Sequence, residues 1–356
     1  MRSADFEFRL PPELIAQGPA PRRDASRLLV LNRHDGRIEH RRFSELPEFL
    51  RAGDVLVLNN SRVIPARLRG ANVRTGGQFE ILLLEENATN DWWAMVKPAK
   101  RAGVGAGITL RDPKGNLPGI SAVVVETNGE GNRRLKFSGI RDIHGQLERL
   151  GETPLPPYIH RARELPGDRE RYQTVYAEHN GSVAAPTAGL HFTPELLEQI
   201  RGRGVQVCCV TLHVGPGTFL PVKTERVTAH KMHQEQFQVG RDTACIVNEA
   251  RNSGRRVIAV GTTTVRALET IASQNHGKIV ENTGKTGIFI YPPFQFQIVD
   301  ALLTNFHLPR STLLMLVSAF AAPGEIRGRD MLLAAYAEAI RERYRFYSYG
   351  DAMLIV

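Results

Sequence analysis

Runs of apolar residues and runs of alternating polarity divide this chain into two kinds of segment. Arg27–Asn32 and Arg37–Arg42 flank His34-Asp35-Gly36, which predicts a β-hairpin. Ser44 is placed to cap a short helix ending near Leu50, and Asp54–Leu58 is a continuous apolar run, as a buried strand requires. From Val63 to Ser138 the pattern changes to short β-type runs: Val63–Arg69, Gln78–Glu85, Trp92–Lys97, Ile120–Thr127 and Arg133–Ser138. Glycine or asparagine turns separate most of them and no helical period of useful length intervenes, which predicts a small all-β barrel.

After a short helical stretch at Asp142–Leu150 and the proline-rich Pro154–Pro157, helices and strands alternate. Thr193-Pro194-Glu195 opens a helix running to Gly202, and Val205–Val214 is β-rich. Arg241–Ser253 is helical, Val257–Val260 is a buried strand, and Thr263–Ser273 is a helix. Gly287–Ile290 reads as a strand, Ser311–Phe320 and Asp330–Arg343 as helices, and Met353–Val356 as a last strand. The expected fold is α/β: a largely parallel sheet covered on both faces, with the β-barrel inserted. The corresponding domains are 1–63 with 151–356, and 64–150.

Four clusters carry residue types suited to chemistry. In Val257–Arg266 a buried strand enters a Gly-Thr turn that opens a helix, so free amides with Thr262, Thr263 and Arg266 suit a carboxylate or phosphate. A well-capped joint without ligand fits the same residues. Ala184–Phe192 is small-residue-rich, letting backbone approach a ligand; Thr187 and Gly189 are its candidate contacts and His191 its candidate acid or base, against a core histidine satisfied by backbone. His213 ends a strand before the glycine-rich turn Gly215–Phe219, followed by His230, His233 and Glu235, an incomplete imitation of a metal site. His307 lies in Leu303–Thr312, where a buried strand runs into a polar loop. The glycines of Gly103–Gly107 are read as a turn, because no helix follows them.

Charge adds a partner. The 46 Lys and Arg against 37 Asp and Glu leave +9, which favours a polyanion, nucleic acid first. Arg161, Arg163, Arg169 and Arg171, beside Tyr158 and Tyr172, are the candidate contacts to phosphates and bases. Three cysteines at 208, 209 and 245 have neither metal nor disulfide spacing, which fits a reducing cytoplasm. The first ten residues lack the apolar core of a signal peptide and no apolar run approaches a membrane span, so a cytoplasmic protein is expected, acting as a monomer.

Long segments, in order along the whole chain, carry a resemblance: Asn59–Leu68, Tyr172–Ala177, Gly181–Thr193, Thr211–Val222, Gly261–Arg266, Leu303–Leu314 and Tyr344–Leu354. They resemble the tRNA ribosyltransferase-isomerase family of queuosine synthesis, with Ser61 where that family usually has threonine. The resemblance implies an α/β domain with an inserted barrel, tRNA carrying 7-aminomethyl-7-deazaguanine at the wobble position, and S-adenosylmethionine as ribosyl donor and co-substrate. It implies epoxyqueuosine as product, with no metal and no redox cofactor. That chemistry needs a base at the ribose 5′-carbon and an acid for the departing adenine. Residue chemistry suggests His191 and His213 for these tasks, with Glu235 and His233 as alternates. Thr262, Thr263 and Arg266 suit the methionine carboxylate, and Asn59, Asn60 and Arg62 suit substrate near the domain junction. An ordinary methyltransferase and a non-catalytic tRNA-binding protein are the rival classes.

Overall fold

The computed structural model describes residues 1–161, 164–215, 217 and 222–356. Strands and helices are numbered in chain order. The main sheet holds β1 (Arg27–Leu31), β2 (Ile38–Arg42), β3 (Val55–Asn59), β12 (Gln206–Leu212), β13 (Glu235–Val239), β14 (Val257–Val260), β15 (Asn282–Thr286), β16 (Ala301–Asn305) and β17 (Ala352–Ile355). Its spatial order is β15-β13-β12-β3-β14-β16-β17-β1-β2.

The sheet is mixed, where the sequence pattern suggests a largely parallel one. β12, β3, β14 and β16 run parallel, as do β17 and β1, while β13, β15 and β2 pair antiparallel. β17 also lies antiparallel to β16. Two helices separate those strands, α6 (Thr312–Ala321) and α7 (Gly328–Arg341), and they pack on each other. A helical hairpin returns the chain to the end it left, so the next strand enters reversed.

Alternate residues of the central strands divide between two cores, as the two-residue period of a strand demands. Val55, Val57, Val257, Ala259, Leu302 and Met353 face one core, with α4 (Arg241–Asn252), α5 (Thr262–Gln274), α6 and α7 contributing. Leu56, Leu58, Ile258, Val260, Leu303 and Leu354 face the other, under α3 (Pro194–Gly202) and the 3-10 segment Phe43–Phe49. Thr193 caps α3 by accepting from the Leu196 amide. Ser44 does not cap its segment; the Glu45 carboxylate accepts from the Arg42 amide at 2.6 Å instead. Gly287–Ile290 is not a strand, because the edge pairing to β13 falls on Asn282–Thr286.

The β-type runs do not join this sheet. β5 (Arg67–Asn72), β6 (Gln78–Ala88), β7 (Asp91–Lys97), β8 (Gly107–Arg111), β9 (Ser121–Thr127) and β10 (Arg133–Ser138) close into an antiparallel barrel in the order β10-β7-β6-β5-β8-β9. Phe79, Ile81 and Leu83 alternate into its core with Trp92, Ile108, Val124 and Leu135. β8 goes unread in the sequence, hidden behind glycines. The Val63–Arg69 run splits around Pro65, which lacks the amide a ladder needs. Its first part, β4 (Ser61–Val63), pairs instead with β11 (His179–Ser182). Two single-turn helices, α1 (Leu147–Leu150) and α2 (Asp168–Arg171), follow the barrel. Among the described residues no helix is long and apolar enough to cross a membrane.

Candidate active site

β12, β14 and β16 point their carboxyl ends the same way, and open α/β sheets bind ligands at that edge. Val214 beyond β12, Gly261–Thr263 beyond β14 and Thr304–Leu308 around the end of β16 line a cavity there, with Ala185–Ala188, Tyr158, Leu313, Tyr347 and Ser348. Its empty volume, open mouth included, is about 560 Å³. Among the described residues no Asp, Glu, Lys or Arg lines it.

One pole of the cavity is the start of α5. Gly261 holds φ at 88°, which admits glycine readily, and no side chain caps the helix. The first-turn amides have no intrahelical acceptors, so the Thr262 and Thr263 end carries partial positive charge toward the cavity. Arg266, one turn on, does not line the cavity. Its guanidinium Nη1 meets the Glu235 carboxylate, while its Nε and Nη2 are buried without partners. Glu235 also accepts from the Gly215 amide at 2.9 Å.

The other pole holds His307. Its Nε2 lies 2.8 Å from Thr304 Oγ1, and its amide donates to the Tyr336 hydroxyl. Burial pushes its imidazole down to about 3, so it is neutral near pH 7.

The other sequence candidates divide by placement. Thr187 lines the cavity. Gly189 does not; its missing Cβ makes room for the Tyr176 hydroxyl. His191 sits behind the wall, stacked on Phe43 at 4.9 Å, with Nδ1 2.7 Å from Ser26 Oγ and Nε2 3.3 Å from Asn305 Nδ2. Burial, then Arg345 and Arg23, push it down to about 3. His213 packs against Gly181, on the opposite side of its strand from Val214, and its Nδ1 is buried without partner. Burial and then His179 lower its pKa. His233 turns to Glu130 of the barrel at 3.4 Å, leaving His230 and Glu235 to other contacts. Among the described residues no three His, Cys, Asp or Glu side chains gather as a metal-binding group.

Asn59 is a bracket rather than a free grip. Its amide joins the Leu212 backbone to Thr263 Oγ1, tying β12 to α5. Asn60 joins Thr211 to Glu178. Arg62 is exposed and, among the described residues, its side chain bonds only the Ala177 carbonyl, at 3.2 Å. It lines a second cleft with Arg23, Arg169, Glu148 and Glu170.

The arginine group differs from the expected phosphate-binding face. Arg169 is engaged by Glu148, Glu164 and the Gly151 carbonyl, and Arg171 by the carbonyls of Ala20 and Pro21. Arg161 holds the Gln17 carbonyl at 2.6 Å. Arg161 and Arg171 therefore clamp the N-terminal segment. Tyr172 is fully buried against Tyr349 and offers no face to a base. Arg163 lies outside the described residues, as do Pro216, Thr218 and Phe219 of the glycine-rich turn. Tyr158, read from sequence as a nucleic-acid contact, lines the cavity instead, and sequence reasoning missed Asn305 and Tyr347 there; the Leu303–Thr312 motif contains Asn305, but nothing in its spacing separates it from its neighbours.

Among the described residues the cleft of this α/β fold joins an anion-accepting helix start and a neutral imidazole with no lining charge, an arrangement suited to a small polar ligand. Comparison with known proteins gives the family. The family model described as "Queuosine biosynthesis protein" matches residues 3–355. An S-adenosylmethionine:tRNA ribosyltransferase-isomerase of Symbiobacterium thermophilum is 52% identical over 356 residues, all of both chains. The crystal structure of the S-adenosylmethionine tRNA ribosyltransferase of Thermotoga maritima aligns with TM-score 0.56 and 43% identity, over 99% of this chain and 100% of that one. The chain belongs to this queuosine biosynthesis protein family.

Proposed function

We propose that the chain transfers and isomerises the ribosyl group of S-adenosylmethionine onto 7-aminomethyl-7-deazaguanine at the wobble position of tRNA, giving epoxyqueuosine, adenine and methionine. The observation that carries this reading is the cavity at the strand ends, in a chain 52% identical from end to end to an enzyme bearing that name. The first-turn amides at Thr262 and Thr263 hold the methionine carboxylate, and Arg266 with Glu235 fixes the helix start from behind. The sulfonium acidifies the ribose 5′-carbon, and a neutral imidazole takes that proton. His307 has the placement for it, lining the cavity with Nε2 beside Thr304 Oγ1. His213 is the second acid–base candidate, on the side facing His179 and Arg62's strand. His191 acts through Asn305.

The tRNA approaches over the second cleft, where Arg62 has donors to spare. In this reading residues 64–150 form a separate barrel domain inserted between 1–63 and 151–356. S-adenosylmethionine is a co-substrate, no metal or redox cofactor takes part, and the enzyme works as a cytoplasmic monomer. Incubation with S-adenosylmethionine and tRNA bearing or lacking the precursor base, followed by nucleoside mass spectrometry, tests it. A ribosyl adduct on the precursor tRNA alone, with adenine and methionine released, is the expected result. Methyl transfer, or binding without turnover, would overturn it.

A further inference from the structure

Asn305 ends β16, lines the cavity and is 2% exposed. Its amide nitrogen is fully used: Nδ2 donates to His191 Nε2 and to the Tyr347 carbonyl, each at 3.3 Å. The hydrogens behind it follow in sequence. The Tyr347 carbonyl can only accept, so Nδ2 rather than Oδ1 faces it, and His191 Nε2 then accepts as well. A His191 ring bare on Nε2 carries its proton on Nδ1, which lies 2.7 Å from Ser26 Oγ, and the Ser26 hydroxyl reaches the Arg23 carbonyl at 3.3 Å. A flipped Asn305 amide would set its oxygen against two acceptors. The orientation is thus determined, and it leaves Oδ1 buried in the cavity wall with no hydrogen-bond partner.

A buried acceptor without a partner is costly unless a ligand supplies the donor. Around it the wall carries the rings of Tyr158, Phe306 and Tyr347 and no charged side chain, a surface suited to a neutral ring system. The acidic pole of a ligand belongs at the other end, at the start of α5. We propose that Asn305 is a specificity-determining residue whose Oδ1 accepts a hydrogen bond from a neutral donor on the nucleoside half of S-adenosylmethionine, the adenine amine or a ribose hydroxyl. His191 is the positioning residue that holds the amide in this orientation. The assignment rests on the function proposed above and adds to it the atom that reads the nucleoside.

The test is calorimetric titration of S-adenosylmethionine, its analogue with purine in place of adenine, and its 2′-deoxy and 3′-deoxy analogues. Each is titrated into the wild-type protein, Asn305→Leu and His191→Phe. The wild type should bind one analogue roughly 5–100-fold more weakly than the parent, the loss expected when a buried acceptor goes unpaired. Asn305→Leu should bind that analogue and the parent within about twofold of each other. His191→Phe keeps the aromatic packing on Phe43 and should give an intermediate ratio. The analogue that shows the loss identifies the donor. If Asn305→Leu does not fold, the wild-type ratios and His191→Phe decide. A wild type that treats all four ligands alike, or an Asn305→Leu protein that discriminates as the wild type does, would overturn the assignment. Discrimination retained by His191→Phe alone overturns the positioning role. A wild type that binds no S-adenosylmethionine overturns the functional reading and the assignment together.

Discussion

Glu235→Ala is the substitution whose outcome the structure constrains most. The side chains of Glu235 and Arg266 are 6% and 3% exposed, and each is the other's ionic partner. Among the described residues the Arg266 guanidinium has no other hydrogen-bond partner, since Nε and Nη2 are unpaired. Removing the carboxylate leaves a guanidinium buried without a counter-charge, and takes one acceptor from the Gly215 amide. Breaking a buried pair from one side costs about 3–5 kcal/mol. At the low end of roughly 2–4 °C per kcal/mol, appropriate to a long chain, the melting temperature should fall by about 6–10 °C. Differential scanning calorimetry of Glu235→Ala, and of the apolar pair Glu235→Leu with Arg266→Met, separates charge from packing. The double variant should recover most of the loss, because no charge then stays buried. A single variant that melts within about 2 °C of the wild type, or a double variant no more stable than the single, would refute the reasoning.

Three further outcomes follow from other groups. His191 and His307 sit near 3 in the folded protein and near an ordinary 6.5 unfolded, so the unfolded chain binds more protons between those values. Stability should be intact above about pH 6.5 and fall with acidification by about 1.4 kcal/mol per pH unit for each histidine, so urea midpoints measured from pH 7 to 5 should decline and His191→Phe should make that decline shallower. Cys245 is exposed, whereas burial raises the Cys208 thiol to about 12 and the Cys209 thiol to about 11. Ellman's reagent at neutral pH should therefore titrate one fast thiol, and three equal rates would contradict the burial. Arg62→Ala should lower the slope of log affinity for tRNA against log salt by about 0.7–0.9, one phosphate's worth. An unchanged slope removes Arg62 from the interface.

Sequence by itself determined the elements and their faces. The apolar run at β3 and β14 specified strands buried on both sides, and Thr193-Pro194 specified where α3 begins, because these are local properties of backbone and solvent. The alternation in β6 likewise specified a barrel wall. The Gly261-Thr262-Thr263 joint was legible as an anion-accepting helix start for the same reason, and the family resemblance gave the reaction class. What tertiary structure decided was partnership. Two helices before β17, not one, reversed that strand against β16, and the antiparallel edge strands β13, β15 and β2 complete a mixed sheet. Arg161 and Arg171 look like a phosphate-binding run until the N-terminal segment arrives to occupy them, more than 140 residues away in sequence. His191 and His307 are the same residue type beside similar loops, yet one lies behind the cavity wall and the other in it. The amide of Asn305 is held by His191 and the Tyr347 carbonyl, 114 and 42 residues away in sequence. Hydrophobic period is written residue by residue, but a hydrogen bond between distant side chains depends on where the folded sheet brings them, and no local pattern encodes that.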